Sequence, residues 1–198
     1  MIEIVSWITV VLLFLTSGGL LLSRDWRWSL GILAIQYLGV FWLVQLHWPA
    51  AMAAAKLVTG WMVSAVLGIT YVGLPKRDTS AERSWPEGSP FRLFATALVA
   101  LAIATATPRV PVMLPGVGLA ETAGSLLLIG MGLLHLGITA QPLRVILGLL
   151  TVLAGFEILY AAVEGSVLVA AMLAAVNLGL ALIGSYLLTA AAEAEAAG

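Results

Sequence analysis

Glu157 stands between Phe156 and Ile158, deep in the apolar stretch from Pro142 to Val163. A central acidic residue in a membrane span costs roughly 2.5 to 3.5 kcal/mol, so a cation, a water-filled cavity or a bound proton must offset it. A carboxylate held this way can serve as the titrating group of a proton or ion relay. Three other residues could share that chemistry. Lys56 lies about seven residues into its own apolar stretch, ~10 Å from the end at the helical rise. It either snorkels to the interface on its long stem or acts as a buried cation and electrostatic partner of Glu157. Asn177, near the middle of the last stretch, suits a helix–helix hydrogen bond or the lining of a water path. His135, near the end of its span, reads as an interfacial histidine or as a proton carrier.

The remaining polar residues of the spans carry less. Gln36 and Gln45 suit helix–helix hydrogen bonds, and Thr151 and Ser185 complete a small polar interior. Glu121 suits the first turn of a helix, where a negative charge complements the dipole, and Glu164 has a similar place before the last span. No pair of histidines has metal-ligand spacing, no Gly-rich phosphate loop is present, and no nucleophile–base–orienter trio can be assembled. With no cysteine, thiolate metal ligation and iron–sulfur chemistry are excluded from this chain. The expectation is a chain that is not catalytic alone and holds no metal or cofactor.

The elements that must position these residues are membrane helices. The chain has 198 residues, 62% apolar and 10% charged, with a mean hydropathy of +1.09, far above the apolar share of an ordinary globular domain. A net charge of -1 without a lysine-rich tract gives no reason to expect nucleic acid as a partner. Candidate spans run Ile4 to Leu22, Ser29 to Leu46, Ala50 to Val72, Phe91 to Thr107, which is short, and then Ala120 to Ala140, Pro142 to Val163 and Ser166 to Leu188, each of these three long enough to cross a ~30 Å hydrocarbon core. The first lacks a basic lead and is too long for a signal segment, so it reads as a retained helix.

Ser23-Arg24-Asp25-Trp26-Arg27-Trp28 reads as a polar turn flanked by interfacial tryptophans. Pro49 opens the third helix, and Pro108, Pro111 and Pro115 read as a stiff connection rather than a helix. The organisation is a three-helix N-terminal segment (1–73), a polar loop (74–90), a fourth helix with its Pro-rich connection (91–119), a three-helix unit (120–190) and an alanine–glutamate tail (191–198). The fold class is all-α, a polytopic membrane protein of about seven transmembrane helices. Seven spans put Arg24, Arg27, Lys76, Arg77, Arg83, Arg92 and Arg144 on one side and Arg109 alone on the other. By the positive-inside rule the N-terminus is expected outside and the C-terminus inside.

From Ser125 to Leu188 the residues carry a resemblance. Leu133-Leu134-His135-Leu136-Gly137-Ile138, then Gln141-Pro142-Leu143-Arg144-Val145-Ile146-Leu147-Gly148-Leu149, then Ala174-Ala175-Val176-Asn177-Leu178-Gly179-Leu180, resemble the small K subunit of the respiratory NADH–quinone oxidoreductase, a family related to the C subunit of Mrp-type antiporters. The preceding spans, with Ala53-Ala54-Ala55-Lys56-Leu57-Val58 in the third, look like component E of hydrogenase-4 and formate hydrogenlyase complexes. The resemblance implies a multi-pass subunit of the cell inner membrane, packed among antiporter-like and other membrane subunits. In such a complex an oxidoreductase drives proton or sodium translocation. It also implies acids on the last two helices, and here the sequence departs from the family: those positions fall on Leu150, near Leu153 and near Asn177. Only Glu157 remains, about one turn beyond Leu153 on a similar face.

Three readings therefore stand. The chain is an ion-translocating membrane subunit, with Glu157 titrating, Lys56 its partner, and Asn177 and His135 lining a water path. Or it is a structural linker that has lost the conducting acids, with Glu157 paired to a cation of a neighbouring subunit. Or it is a stand-alone carrier of a small solute.

Overall fold

The structure is a computed structural model and describes residues 1–23, 25–74 and 89–196. Those residues are helical almost throughout, in the order α1 (Ile2–Leu22), α2 (Trp26–Val44), α3 (Ala50–Gly73), α4 (Ser89–Ala106), a 3-10 turn (Thr107–Arg109), α5 (Val110–Met113), α6 (Leu119–Gly137), α7 (Pro142–Val163) and α8 (Val167–Ala196). Among the described residues seven helical segments are long and apolar enough to cross a membrane, the fourth running from Pro90 to Met113. This is a multi-pass membrane protein. The loop charges Lys76, Arg77, Asp78, Glu82, Arg83 and Glu87, and Arg24, lie outside the described residues.

Helix α6 stops at Gly137 and α8 runs on to Ala196, into the expected tail, and two further differences from the sequence reading have a local reason. Trp26, Arg27 and Trp28 form the first turn of α2 rather than a loop. Asp25 caps that turn, its carboxylate accepting the Arg27 backbone N–H at 2.9 Å, which satisfies one of the orphan donors of a helix start. The Pro-rich connection is largely helical. Pro108 and Pro111 occupy the opening positions of the 3-10 turn and of α5, where a missing N–H costs nothing. The chain turns only after Pro115, at Gly116, whose φ of +103° is a conformation open chiefly to glycine.

Six helices close a ring in the order α1, α2, α3, α8, α7, α6, with α2 also touching α7 across its middle and α4 packed outside on α6 and α1. The tightest pairing is α6 with α7, and glycines make it so. A Cβ at Gly155 would lie 2.7 Å from the Ser125 carbonyl oxygen and 2.9 Å from the Ile129 nitrogen. A Cβ at Gly132 would lie 2.8 Å from the Val152 nitrogen. Small residues let two backbones meet, the principal source of helix association where lipid is as apolar as leucine. The interior holds Leu13, Leu33, Val40, Leu43, Leu128, Leu147 and Leu150, while Ile2, Leu15, Leu101 and Ile183 face outward.

Contacts at the two ends fix how the helices alternate. At one end, Arg144 Nη2 donates to the Ser23 carbonyl at 2.7 Å and Arg92 Nη1 to the Leu21 carbonyl at 3.1 Å. Both guanidinium groups thus serve the orphan carbonyls and negative dipole end of α1. Trp26 stacks on Tyr71 at this end as well, ring centroids 4.9 Å apart. At the other end, Trp48 Nε1 donates to the Glu164 carbonyl at 2.8 Å, tying the α2–α3 turn to the α7–α8 turn. His47 Nε2 also lies 3.7 Å from Glu121 Oε1 there.

Candidate functional site

Four helices of the ring, α2, α3, α8 and α7, enclose a polar cluster. Each contributes one side chain. Lys56 points inward from α3 because it shares a face with Ala53, Thr59, Gly60 and Val63, all buried. Glu157 projects from the buried face of α7 that also holds Leu150, Ala154, Ile158 and Ala161. The Lys56 ammonium and the Glu157 carboxylate form an ion pair through Nζ and Oε2, with 5% and 1% of the residues exposed. Of the three ways to offset Glu157 that the sequence left open, a cation from the same chain is present, and Lys56 is buried rather than snorkelling.

The second carboxylate oxygen is also held. Asn177 Nδ2 donates to Glu157 Oε1 at 2.8 Å and to the Leu173 carbonyl at 2.8 Å, using both amide protons. Its Oδ1 accepts the Tyr37 hydroxyl at 2.9 Å. Tyr37 also presents its ring to the ammonium, with Lys56 Nζ 5.6 Å from the ring centroid, within cation–π range. The result is a chain of contacts, Tyr37 to Asn177 to Glu157 to Lys56, that crosses four helices. In a low-dielectric interior such a network is strong when satisfied and costly when one member is removed.

One part of the network is not closed. Apart from their contact with each other, Lys56 Nζ and Glu157 Oε2 have no hydrogen-bond partner among the described residues, although an ammonium has three protons to donate. Beside them lies a cavity of about 140 Å³, lined by Trp48, Met52, Ala55, Leu173, Ala174 and other small or apolar residues of α3 and α8.

The cluster takes in three of the four residues expected from the sequence, Glu157, Lys56 and Asn177. His135 lies elsewhere. It is buried near the opposite end of α6 at 3% exposure, in the electrostatic field of Arg144 and Arg92, roughly 15 Å along the bundle from Glu157 at the helical rise. Tyr37 is the member that sequence reasoning missed. A hydroxyl in an apolar span was a signal, but nothing local pairs it with Asn177, 140 residues away. Gln36 and Thr151 form a neighbouring α2–α7 contact at 3.4 Å. Leu150, where the resemblance expects an acid, is fully buried core, and Leu153 is half-buried. Among the described residues no group of three or more His, Cys, Asp or Glu could hold a metal.

Chemically, the arrangement can hold a proton in two ways without changing its total charge: an ammonium beside a carboxylate, or an amine beside a carboxylic acid. A further proton makes the pair cationic. No protein-family model, curated protein or solved structure matches the chain.

Proposed function

We propose that this chain is a non-redox membrane subunit of an energy-converting assembly of the complex I or hydrogenase-4 kind, and that it contributes to a proton or sodium path. The observation that carries this reading is the Lys56–Glu157 ion pair, closed off from lipid by four helices and braced by Asn177 and Tyr37. Ionisable groups at such depth are expensive, and paired with one another in a bundle interior they mark ion pathways and proton relays. The resemblance of the last three spans to the K subunit supports the same reading, as does the single-sided distribution of basic loop residues, which puts the N-terminus outside and the C-terminus inside. In this role Glu157 takes and releases the proton, Lys56 answers its charge, and Asn177 with Tyr37 holds the carboxylate in place. His135 lies outside this cluster, roughly 15 Å along the bundle at the helical rise.

The test is Glu157→Gln in the assembled complex, reconstituted in sealed vesicles. Glutamine keeps the size and the Asn177 contact but cannot exchange a proton. Complex recovery is expected to stay near wild type while coupled ion uptake falls at least tenfold. Unchanged uptake in that variant removes the reading. A structural linker is favoured by one observation, that Asn177, which carries no charge, stands near where the resemblance expects the last acid. For a linker the variant would lower complex recovery and leave coupling per assembled complex intact. A stand-alone solute carrier would purify without companion subunits.

A further inference from the structure

The proposed relay needs a route by which solvent reaches Glu157, and the cavity beside the ion pair is placed to supply one. Its floor is the Lys56–Glu157 pair, and the two groups there, Nζ and Oε2, are those that lack any hydrogen-bond partner beyond each other among the described residues. Its walls are the small residues Ala55, Ala170 and Ala174, with Met52 and Leu173. Its rim reaches the bundle end that carries the α2–α3 and α7–α8 turns, because Val167 is the first residue of α8 and Trp48 precedes α3. Val167 and Ala171 on that rim are exposed, as is Ala55 on the wall.

We infer that the crevice between α3 and α8 is a solvent vestibule through which water and protons from one side of the membrane reach the Lys56–Glu157 pair, with Trp48 as its lid. A cavity of about 140 Å³ has room for a few water molecules at roughly 30 Å³ each, and Lys56 Nζ and Glu157 Oε2 lie buried directly behind its lining, so that water reaching them once the lining side chains shift would find a donor and an acceptor. The walls are apolar, so wetting depends on that floor and on continuity with the aqueous end, as in hydrophobic constrictions that gate by dewetting. Trp48 is 5% exposed and is held by its Nε1 bond to the Glu164 carbonyl and by an edge contact with Tyr160 at 6.4 Å between centroids. Release of that one side chain would widen the vestibule at the end where the α2–α3 and α7–α8 turns meet. The inference rests on the proposed relay role, whose solvent route it names, but it is tested without any measurement of pumping.

The chain has no cysteine, so a single introduced thiol can be followed alone. The full-length Ala174→Cys variant, in sealed vesicles of each orientation, is treated with a small membrane-impermeant cationic methanethiosulfonate. Val176→Cys, on the same helix at similar depth but 50% exposed on the outer surface of the bundle, is the lipid-facing comparison. Thiolates form and react in water and not in hydrocarbon. Ala174→Cys is expected to react at least tenfold faster than Val176→Cys, and only from the side opposite Arg92 and Arg144. Adding Trp48→Ala should raise its rate further, by about tenfold. Equal rates at the two positions, or reaction of Ala174→Cys from the side of Arg92 and Arg144, would overturn the vestibule. Ala171→Cys, nearer the rim, should react faster still, and its failure to do so would overturn it as well. If Ala174→Cys is labelled while Glu157→Gln leaves ion uptake unchanged, the vestibule stands and the relay role falls.

Discussion

The Tyr37 ring lies against the backbone of Gly60, so that a Cβ at position 60 would overlap the ring itself. The hydroxyl of the same tyrosine donates to Asn177 at 2.9 Å. A missing side chain on α3 thus sets the position of a hydrogen bond to α8, and through Asn177 the orientation of Glu157. Close approach of this kind is what glycine permits at a helix interface.

Gly60→Ala should therefore displace Tyr37. Overpacking of a filled interior costs about 1 to 3 kcal/mol, and a lower unfolding midpoint in detergent is the expected reading. The displacement should be relieved when Tyr37→Ala is added, so that the double variant loses less than the two single losses combined. Additive losses would show that the contact does not couple the two positions.

Removing Lys56 alone should be more damaging than removing the pair. Lys56→Met leaves the Glu157 carboxylate buried without its cation, at a cost of about 3 to 5 kcal/mol, whereas replacing both partners by apolar residues is often near neutral. Lys56→Met with Glu157→Leu should recover most of the thermal stability lost in the single variant. It should recover none of the ion uptake, which separates the structural from the relay contribution of the pair.

Asn177→Leu should free the Tyr37 hydroxyl and Glu157 Oε1 together, since both depend on its amide. Each buried polar group left without a partner costs about 1 to 3 kcal/mol. In Tyr37→Phe only one acceptor, Asn177 Oδ1, loses its donor, so a smaller loss is expected. The order of the two unfolding midpoints checks the direction of the network.

The α6–α7 contact offers a test away from the charged cluster. Gly155→Val would push side-chain atoms onto the Ser125 carbonyl and the Ile129 nitrogen and break the Ser125 Oγ bond to the Gly155 carbonyl, which measures 2.7 Å. A loss of about 3 kcal/mol or more is expected from backbone separation of this kind. Gly179→Val, where no atom lies near the added Cβ, should change the midpoint little.

Orientation has its own measurement. A reporter that is active only in the cytoplasm should function when fused after Gly198 and fail when fused before Met1. The reverse pattern would contradict the topology drawn from the basic residues.

The sequence by itself determined the spans. Runs of apolar residues at membrane-crossing length, broken at Asp25, Pro49, Gln141-Pro142 and Glu164-Gly165, leave little freedom in where helices start and stop, because backbone groups in lipid must be satisfied within the helix. It also marked Glu157, Lys56 and Asn177, since a polar group in an apolar span costs enough to demand a reason. Only the tertiary structure decided that these three meet one another. Residues on α3, α7 and α8 become neighbours through the order in which the helices close their ring, and that order depends on how closely particular surfaces can approach. Glycine at positions 60, 132 and 155 sets those approaches, yet the local sequence around a glycine does not say which helix will come to it. For the same reason Tyr37 joined the cluster unannounced, and His135, equally conspicuous in the sequence, was left at the other end.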